Sequence, residues 1–178
     1  MTLPAAPGRL VRETARLRLR ELTTEDAAFI LELVNEPAWL RFIGDRNVHS
    51  LEEARGYITR GPVASYLKHG FGLWAVDSRA TGEPLGMCGL IRRDSLPHSD
   101  LGFAFLARYR GQGFAREAAA AAVALAQQRY RFRRLLAITD PDNTASRGVL
   151  EHVGFTFERL FTWSENGKEQ ALYAKDFA

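Results

Sequence analysis

Phe103-Ala104-Phe105-Leu106-Ala107-Arg108-Tyr109-Arg110-Gly111-Gln112-Gly113-Phe114-Ala115-Arg116-Glu117 is the stretch that decides how this chain reads. The apolar run before Arg108 suits a buried strand. Gly111 and Gly113 then supply a turn, because glycine takes positive φ freely and lets other groups come close to the backbone. Residues 118–126 are the best helix-forming segment in the sequence. A helix that opens on such a turn presents unpaired N–H groups and the positive end of its dipole, a ready site for an anion. Local charge agrees. Between positions 108 and 134 the charged residues are Arg108, Arg110, Arg116, Arg129, Arg131, Arg133 and Arg134, against Glu117 alone. The stretch points to a phosphate-bearing ligand at a helix N-terminus.

Two common phosphate motifs do not fit. A dinucleotide fingerprint wants Gly or Ala where Arg116 stands, and no Gly-Lys-Ser/Thr run exists for a P-loop. What remains is Arg108-x-x-Gly111-x-Gly113 with Ala115 and Glu117 on the new helix. A surface turn ahead of an Ala-rich core helix is the competing interpretation.

The bulk numbers set limits. With 178 residues, 46% of them hydrophobic, the chain can bury a sizeable core. A short N-terminal tail over residues 1–12, containing Pro4, Pro7 and Gly8, is expected to be flexible. Residues 13–178 are expected to form a single domain. The net charge is +3. Residues 129–134 (Arg-Tyr-Arg-Phe-Arg-Arg) are the one candidate nucleic-acid patch, and a solvated helix end is the preferred account. The expectation is no nucleic-acid partner. Cys88 is the only cysteine, so no internal disulfide can form, and its apolar neighbours suit core filling. No signal-like or membrane-length apolar run occurs, so a cytoplasmic protein without membrane partners is expected.

Along the chain, residues 16–20 alternate as a half-buried strand. Thr23 or Thr24 can cap a helix that runs to Asn35-Glu36-Pro37. Trp39, Phe42 and Ile43 fall in a connecting segment. Ser50-Leu51-Glu52-Glu53 is a capping box for a second helix. Gly61-Pro62 interrupts it. Strands follow over 71–76, 85–91 and 100–106, the last feeding the glycine turn. After the Ala helix come a short strand (135–139), a helix begun at Asp140-Pro141-Asp142-Asn143 and ended by Gly154, and two strands (155–163 and 170–175). Glu165-Asn166-Gly167-Lys168 joins the last two. The order is β-α-α-β-β-β-α-β-α-β-β, an α+β arrangement.

That order, with two motifs on the right elements, resembles the GNAT N-acetyltransferase superfamily from about residue 14 to the end. The first motif is the Arg108–Gly113 turn. The second is Asn143-Thr144-Ala145-Ser146 followed by Val149-Leu150-Glu151-His152-Val153-Gly154-Phe155. Leu17-Arg18-Leu19-Arg20 and Asn35-Glu36-Pro37 resemble the branch of ribosomal-protein N-terminal acetyltransferases of the RimJ/RimL type. The resemblance implies a mixed, mostly antiparallel sheet of about seven strands with helices on both faces. It also implies acetyl-CoA as cosubstrate, no metal, and a primary amine as acceptor. That acceptor is a protein N-terminal α-amine, another peptide amine or a small-molecule amine. Monomer and homodimer both remain open.

The resemblance also implies roles. Arg108, Arg110, Gly111, Gln112, Gly113, Phe114 and Ala115 would hold the pyrophosphate, mainly through backbone N–H groups. Phe103, Phe105 and Leu106 would offer backbone groups to the pantetheine arm, and one of these N–H groups would stabilise the oxyanion. Asn143 and Ser146, three apart on a helix, share a face toward the thiol end. A plain N-cap and a small packing residue are the simpler account of the pair. Asp100 resembles the position of a catalytic glutamate and is the candidate base, directly or through water, with the loop residue His98 as substitute. The tyrosine that protonates the leaving thiolate in many relatives would fall near Leu150, which has no hydroxyl. Ser146 or water would serve instead. Trp39, Phe42, Trp74 and Trp163 are acceptor-site candidates, although such aromatics more often fill cores. The departures at Leu150 and Asp100 keep a rival function in play, a non-catalytic acyl-CoA-binding regulatory or scaffold domain.

Overall fold

Leu17-Arg18-Leu19-Arg20 behaves as its alternation dictates: Leu17 and Leu19 are buried and Arg18 is exposed. It is the second strand of an eight-stranded sheet in the computed structural model, which describes residues 8–178. The strands are β1 (Leu10–Glu13), β2 (Leu17–Arg20), β3 (Leu73–Ser78), β4 (Pro84–Ile91), β5 (Asp100–Phe105), β6 (Arg134–Thr139), β7 (Thr156–Thr162) and β8 (Glu169–Asp176). Their order is β1-β2-β3-β4-β5-β6-β8-β7, and every neighbouring pair is antiparallel except β5–β6.

One strand more is present than the sequence suggests. The expected tail over 1–12 is the reason: residues 1–7 lie outside the described residues, but Leu10–Glu13 pairs with β2 as an edge strand carrying a bulge. Four largely exposed residues at a sheet edge leave no alternation to read.

Among the described residues six α-helices flank the sheet: α1 (Ala27–Leu33), α2 (Pro37–Phe42), α3 (Leu51–Ile58), α4 (Ala64–His69), α5 (Phe114–Gln128) and α6 (Thr144–His152). Thr23 caps a 3-10 turn that leads into α1, in a capping box with Asp26. Trp39 and Phe42 lie on helix α2, not in a connecting segment. Pro37 opens that helix at its first position, where a missing N–H costs nothing. At Ser50 the expected box is half made. Ser50 accepts from the Glu53 N–H (3.1 Å), while the Glu53 carboxylate takes the N–H of His49 (2.6 Å). Gly61-Pro62 does not end the helical run. A π-helical turn over Thr59–Val63 carries it from α3 into α4, the wider turn accommodating the proline.

The sheet is covered on both faces. Trp74, Val76, Cys88 and Leu101 pack under α5, whose Ala118, Ala119, Ala122 and Ala126 are fully buried. Small side chains let that helix sit close to the strands, which accounts for the run of alanines. On the opposite face Ala75 and Met87 meet Ile30, Leu33 and Trp39 with Ala54 and Ile58. No helix among the described residues is long and apolar enough to cross a membrane.

Candidate active site

The sheet opens in its middle. β5 is fully laddered to β4, from Gly86↔Phe105 to Ile91↔Asp100, but meets the parallel β6 only at Asp100↔Leu136. There Leu136 N–H donates to Ser99 O (3.0 Å). Beyond that pairing the ladder between β5 and β6 stops. Leu106 N–H donates to Leu85 O (2.9 Å), so by antiparallel alternation Ala104 and Gly102 bond toward β4. Phe103 and Phe105 then turn their N–H and C=O groups to the gap. Arg110 takes one of these, donating to Phe105 O from Nε (3.0 Å) and Nη2 (2.8 Å). Two clefts enter the gap, of about 630 Å³ and 400 Å³, and share Trp39, Phe42, Phe103, Ala104, Asn143 and Ser146 in their walls.

The larger cleft runs to the glycine turn. Gly111 (φ +74°) and Gly113 (φ +82°) take the left-handed conformation their sequence suggests. Gly113 is the N-cap of α5, and no side chain caps that helix end. The first-turn N–H groups of a 15-residue helix thus face the cleft at its positive dipole end. At this positive φ any other residue would be strained, and a Cβ would press on the Arg16 guanidinium at 3.3 Å.

The charges beside the turn differ from expectation. Arg108 pairs with Glu32, and Arg110 pairs with Glu36 (2.9 Å), whose carboxylate also takes the Ala107 N–H (3.0 and 2.9 Å). Both guanidiniums are therefore engaged in holding the turn against α1 and α2; Arg110 still lines the cleft, together with Arg116, and Arg108 does not. The sequence reading missed Arg16. Its Nη1 donates to Gln112 O (2.9 Å), its Nε pairs with Glu117 (2.7 Å), and its guanidinium lies 4.4 Å from the Phe114 ring centre. Burial works against the Glu117 charge, but the Thr14 hydroxyl (2.6 Å) with the Arg16 N–H and guanidinium outweighs it. The carboxyl is held below its ordinary range. No local signal marks Arg16, because its partners lie about a hundred residues away.

The smaller cleft runs the other way, to Asp100. This carboxyl is 1% exposed. Burial pushes its pKa up to about 6, against the opposing pull of the Arg93 guanidinium. Arg93 Nε lies 3.0 Å from Oδ1 and 3.3 Å from Oδ2. Trp39 and Trp163 line this cleft, and each has a buried indole N–H without a partner among the described residues. Phe42 lines both clefts. Trp74 lies elsewhere, 1% exposed in the core beneath α5, and lines neither cleft. Its strand position decides this: it projects to the face opposite Ala75. His98 is an exposed loop residue outside both linings.

At the junction of the clefts, Asn143 accepts from the Ser146 N–H (3.1 Å) and so caps α6, while both residues also line both clefts. Leu150, where a tyrosine was sought, is a buried apolar wall of the smaller cleft. Tyr57 of α3 lines that cleft too, and burial raises the pKa of its hydroxyl. It lies over forty residues from Asp100 in sequence, and nothing local to α3 announces it.

A sheet split beside a parallel pair, with an open helix N-terminus on one side and a buried carboxylate on the other, defines an acyl-transfer fold of known type. Residues 16–156 match the family model described as the acetyltransferase (GNAT) domain, and the chain belongs to that family. It is an acetyl-CoA-dependent acetyltransferase. A similar protein, the uncharacterized N-acetyltransferase YoaA of Bacillus subtilis (strain 168), is 28% identical over 149 residues, 83% of this chain and 84% of its own. The uncharacterized protein YkkB of the same organism is 29% identical over 150 residues, 82% of this chain and 85% of its own. Among solved structures, RimL, the ribosomal L7/L12 α-N-protein acetyltransferase, shares the fold with a TM-score of 0.82 at 18% identity, over 99% of both chains. The match shows the fold that the sequence reading expected.

Proposed function

We propose that the protein transfers the acetyl group of acetyl-CoA to a primary amine by direct attack of the deprotonated amine on the thioester. The split between β5 and β6 carries this reading, because two clefts that share walls there reach a phosphate-type anion site on one side and a buried carboxylate on the other. The α5 N-terminus and the turn over 111–115 would hold the pyrophosphate through backbone N–H groups, with Arg116 adding charge. The free backbone groups of Phe103 and the Phe105 N–H would hold the pantetheine arm, and one N–H would meet the developing oxyanion. Ser146, at the junction of the clefts, would donate to the departing thiolate, whose ordinary pKa near 8.5 asks little of an acid.

Asp100 would take the proton. Its pKa of about 6 leaves it ionised near neutral pH yet more basic than an ordinary carboxylate, a useful compromise for a base. The acceptor is a protein N-terminal α-amine or a small-molecule amine. An α-amine, with a reference pKa near 8, is easier to deprotonate than a lysine amine near 10.4. The smaller cleft is lined by the carboxylates Asp45, Asp100, Asp140 and Glu165 against the cations Arg46, Arg93 and Lys168, so carboxylates are in slight excess where an ammonium would arrive.

Thiol release from acetyl-CoA, measured with peptides bearing free N-terminal Ala, Ser or Thr, with polyamines, aminoglycosides and amino acids, tests the assignment. Release with one class identifies the acceptor. Tight acetyl-CoA binding without release from any class would favour a non-catalytic binding role.

A further inference from the structure

Arg93 sits where three parts of the acceptor cleft converge. It follows β4, and the loop from it to Asp100 is braced: Arg92 Nη1 donates to the carbonyls of Arg93 and Leu96 (2.7 Å each), and Leu96 is buried against Leu136 and Leu172. From this fixed base the Arg93 side chain makes three contacts. Its Nε holds both oxygens of Asp100. Its Nη1 lies 3.9 Å from Glu165 on the turn between β7 and β8. Its guanidinium carbon lies 4.9 Å from the ring centre of Trp163, which leads into that turn. Ser95 of the same loop adds a hydrogen bond to Glu165 (2.8 Å).

We propose that Arg93 is a positioning residue for the transfer, clamping the Asp100 carboxylate at the wall of the acceptor cleft and tying it to the β7–β8 turn through Glu165 and Trp163. The proposal rests on Asp100 as the base. A lone buried carboxylate could rotate or take a proton from solvent; the Arg93 Nε–H, shared between both oxygens, restrains it and sets a cation beside it. The turn then senses the same cation. Glu165 draws on Arg93 from the far side, so an acceptor that binds Glu165 alters the grip on Asp100.

The charges that reach Asp100 come from two directions. Arg92 and Arg93 on its own loop lower its pKa, and Glu165 on the turn raises it. Lys168, Asp140, Arg46 and Asp45 complete the charged lining of the cleft. Opposite effects on one carboxyl therefore distinguish the clamp from a merely structural arginine.

The test follows the Asp100 carboxyl by carbon-13 NMR titration of the full-length protein. Arg93→Gln should raise its midpoint by roughly one unit or more, as loss of an adjacent opposite charge does. Arg93→Lys should restore much of the wild-type value, and Glu165→Gln should move it downward. Arg93→Gln and Arg93→Lys variants that fold normally but titrate as wild type would overturn the clamp. An unmoved midpoint in Glu165→Gln would overturn its link to the turn. Asp100→Asn is assayed alongside, with acetyl-CoA and a peptide bearing a free N-terminal Ser. Full turnover by that variant would remove Asp100 as base whatever the titrations gave.

Discussion

Asp100 carries opposing demands in one side chain. As a base it should account for roughly a 10²- to 10⁴-fold share of the rate, so Asp100→Asn should lower kcat by that range with acetyl-CoA affinity, measured by calorimetry, little changed. The acidic limb of the wild-type pH–rate profile should have its midpoint near the carboxyl's pKa of about 6. Stability should respond with the opposite sense. A carboxyl whose pKa is raised on folding contributes fully below its unfolded value near 3.9, and that contribution is lost as pH rises through about 6. At neutral pH the buried charge therefore costs stability, a cost that Arg93 offsets only in part. Asp100→Asn should raise the melting temperature more at pH 7.5 than at pH 4.5. An equal change at both would show that the carboxyl is not strained by burial.

At the scale of elements, the glycine turn and the split strands lend themselves to separate experiments. Nothing lies within 4 Å of a Cβ built on Gly111, so Gly111→Asp should fold, at the modest cost of a non-glycine residue at positive φ. Its carboxylate would occupy the place of a phosphate, and acetyl-CoA binding should disappear in calorimetry. Unchanged affinity would remove the turn from the cofactor site. On β5, the Phe103 and Phe105 amides lack a ladder partner on the β6 side, whereas Ala104 bonds to β4. Amide hydrogen exchange should be fast at 103 and 105, slow at 104, and should slow at the first two when acetyl-CoA is added. These two elements also mark what local sequence could reveal. Glycines, an alanine run and Asn143 before a helix each specify their own backbone, so the turn, α5 and α6 were legible. The contacts Arg16–Gln112, Arg93–Asp100 and the approach of Tyr57 are made by tertiary packing, and no local pattern encodes them. Trp39 and Trp74 show the same limit. Both are large buried aromatics, and only the face each projects from separates a cleft wall from a core filler. The edge strand β1 and helix α2 went unread because four residues with none buried carry no period, and because a proline that ends one helix can begin the next.

For the molecule as a whole, the slot is a gap in the middle of an otherwise continuous sheet, and a ligand lying in it should stiffen the entire fold. Acetyl-CoA at about a hundred times its Kd should add about 2.7 kcal/mol. For a chain of this length that corresponds to a rise in melting temperature of roughly 5–10 °C, readable by calorimetry. Gly111→Asp should abolish the rise. A wild-type rise of that size with no turnover on any amine would separate ligand binding from catalysis.

The two mouths of the slot share the walls from α2, β5 and the start of α6 but differ beyond them. Residues 105–116 line only one end, while 44–57, 91–100 and 163–170 line only the other. If the clefts serve donor and acceptor as proposed, inherited changes in the second set would retarget the enzyme to a new amine while the first set keeps its thioester donor. On that assignment, daughter lineages would diverge in what they modify without first losing their hold on the acetyl donor.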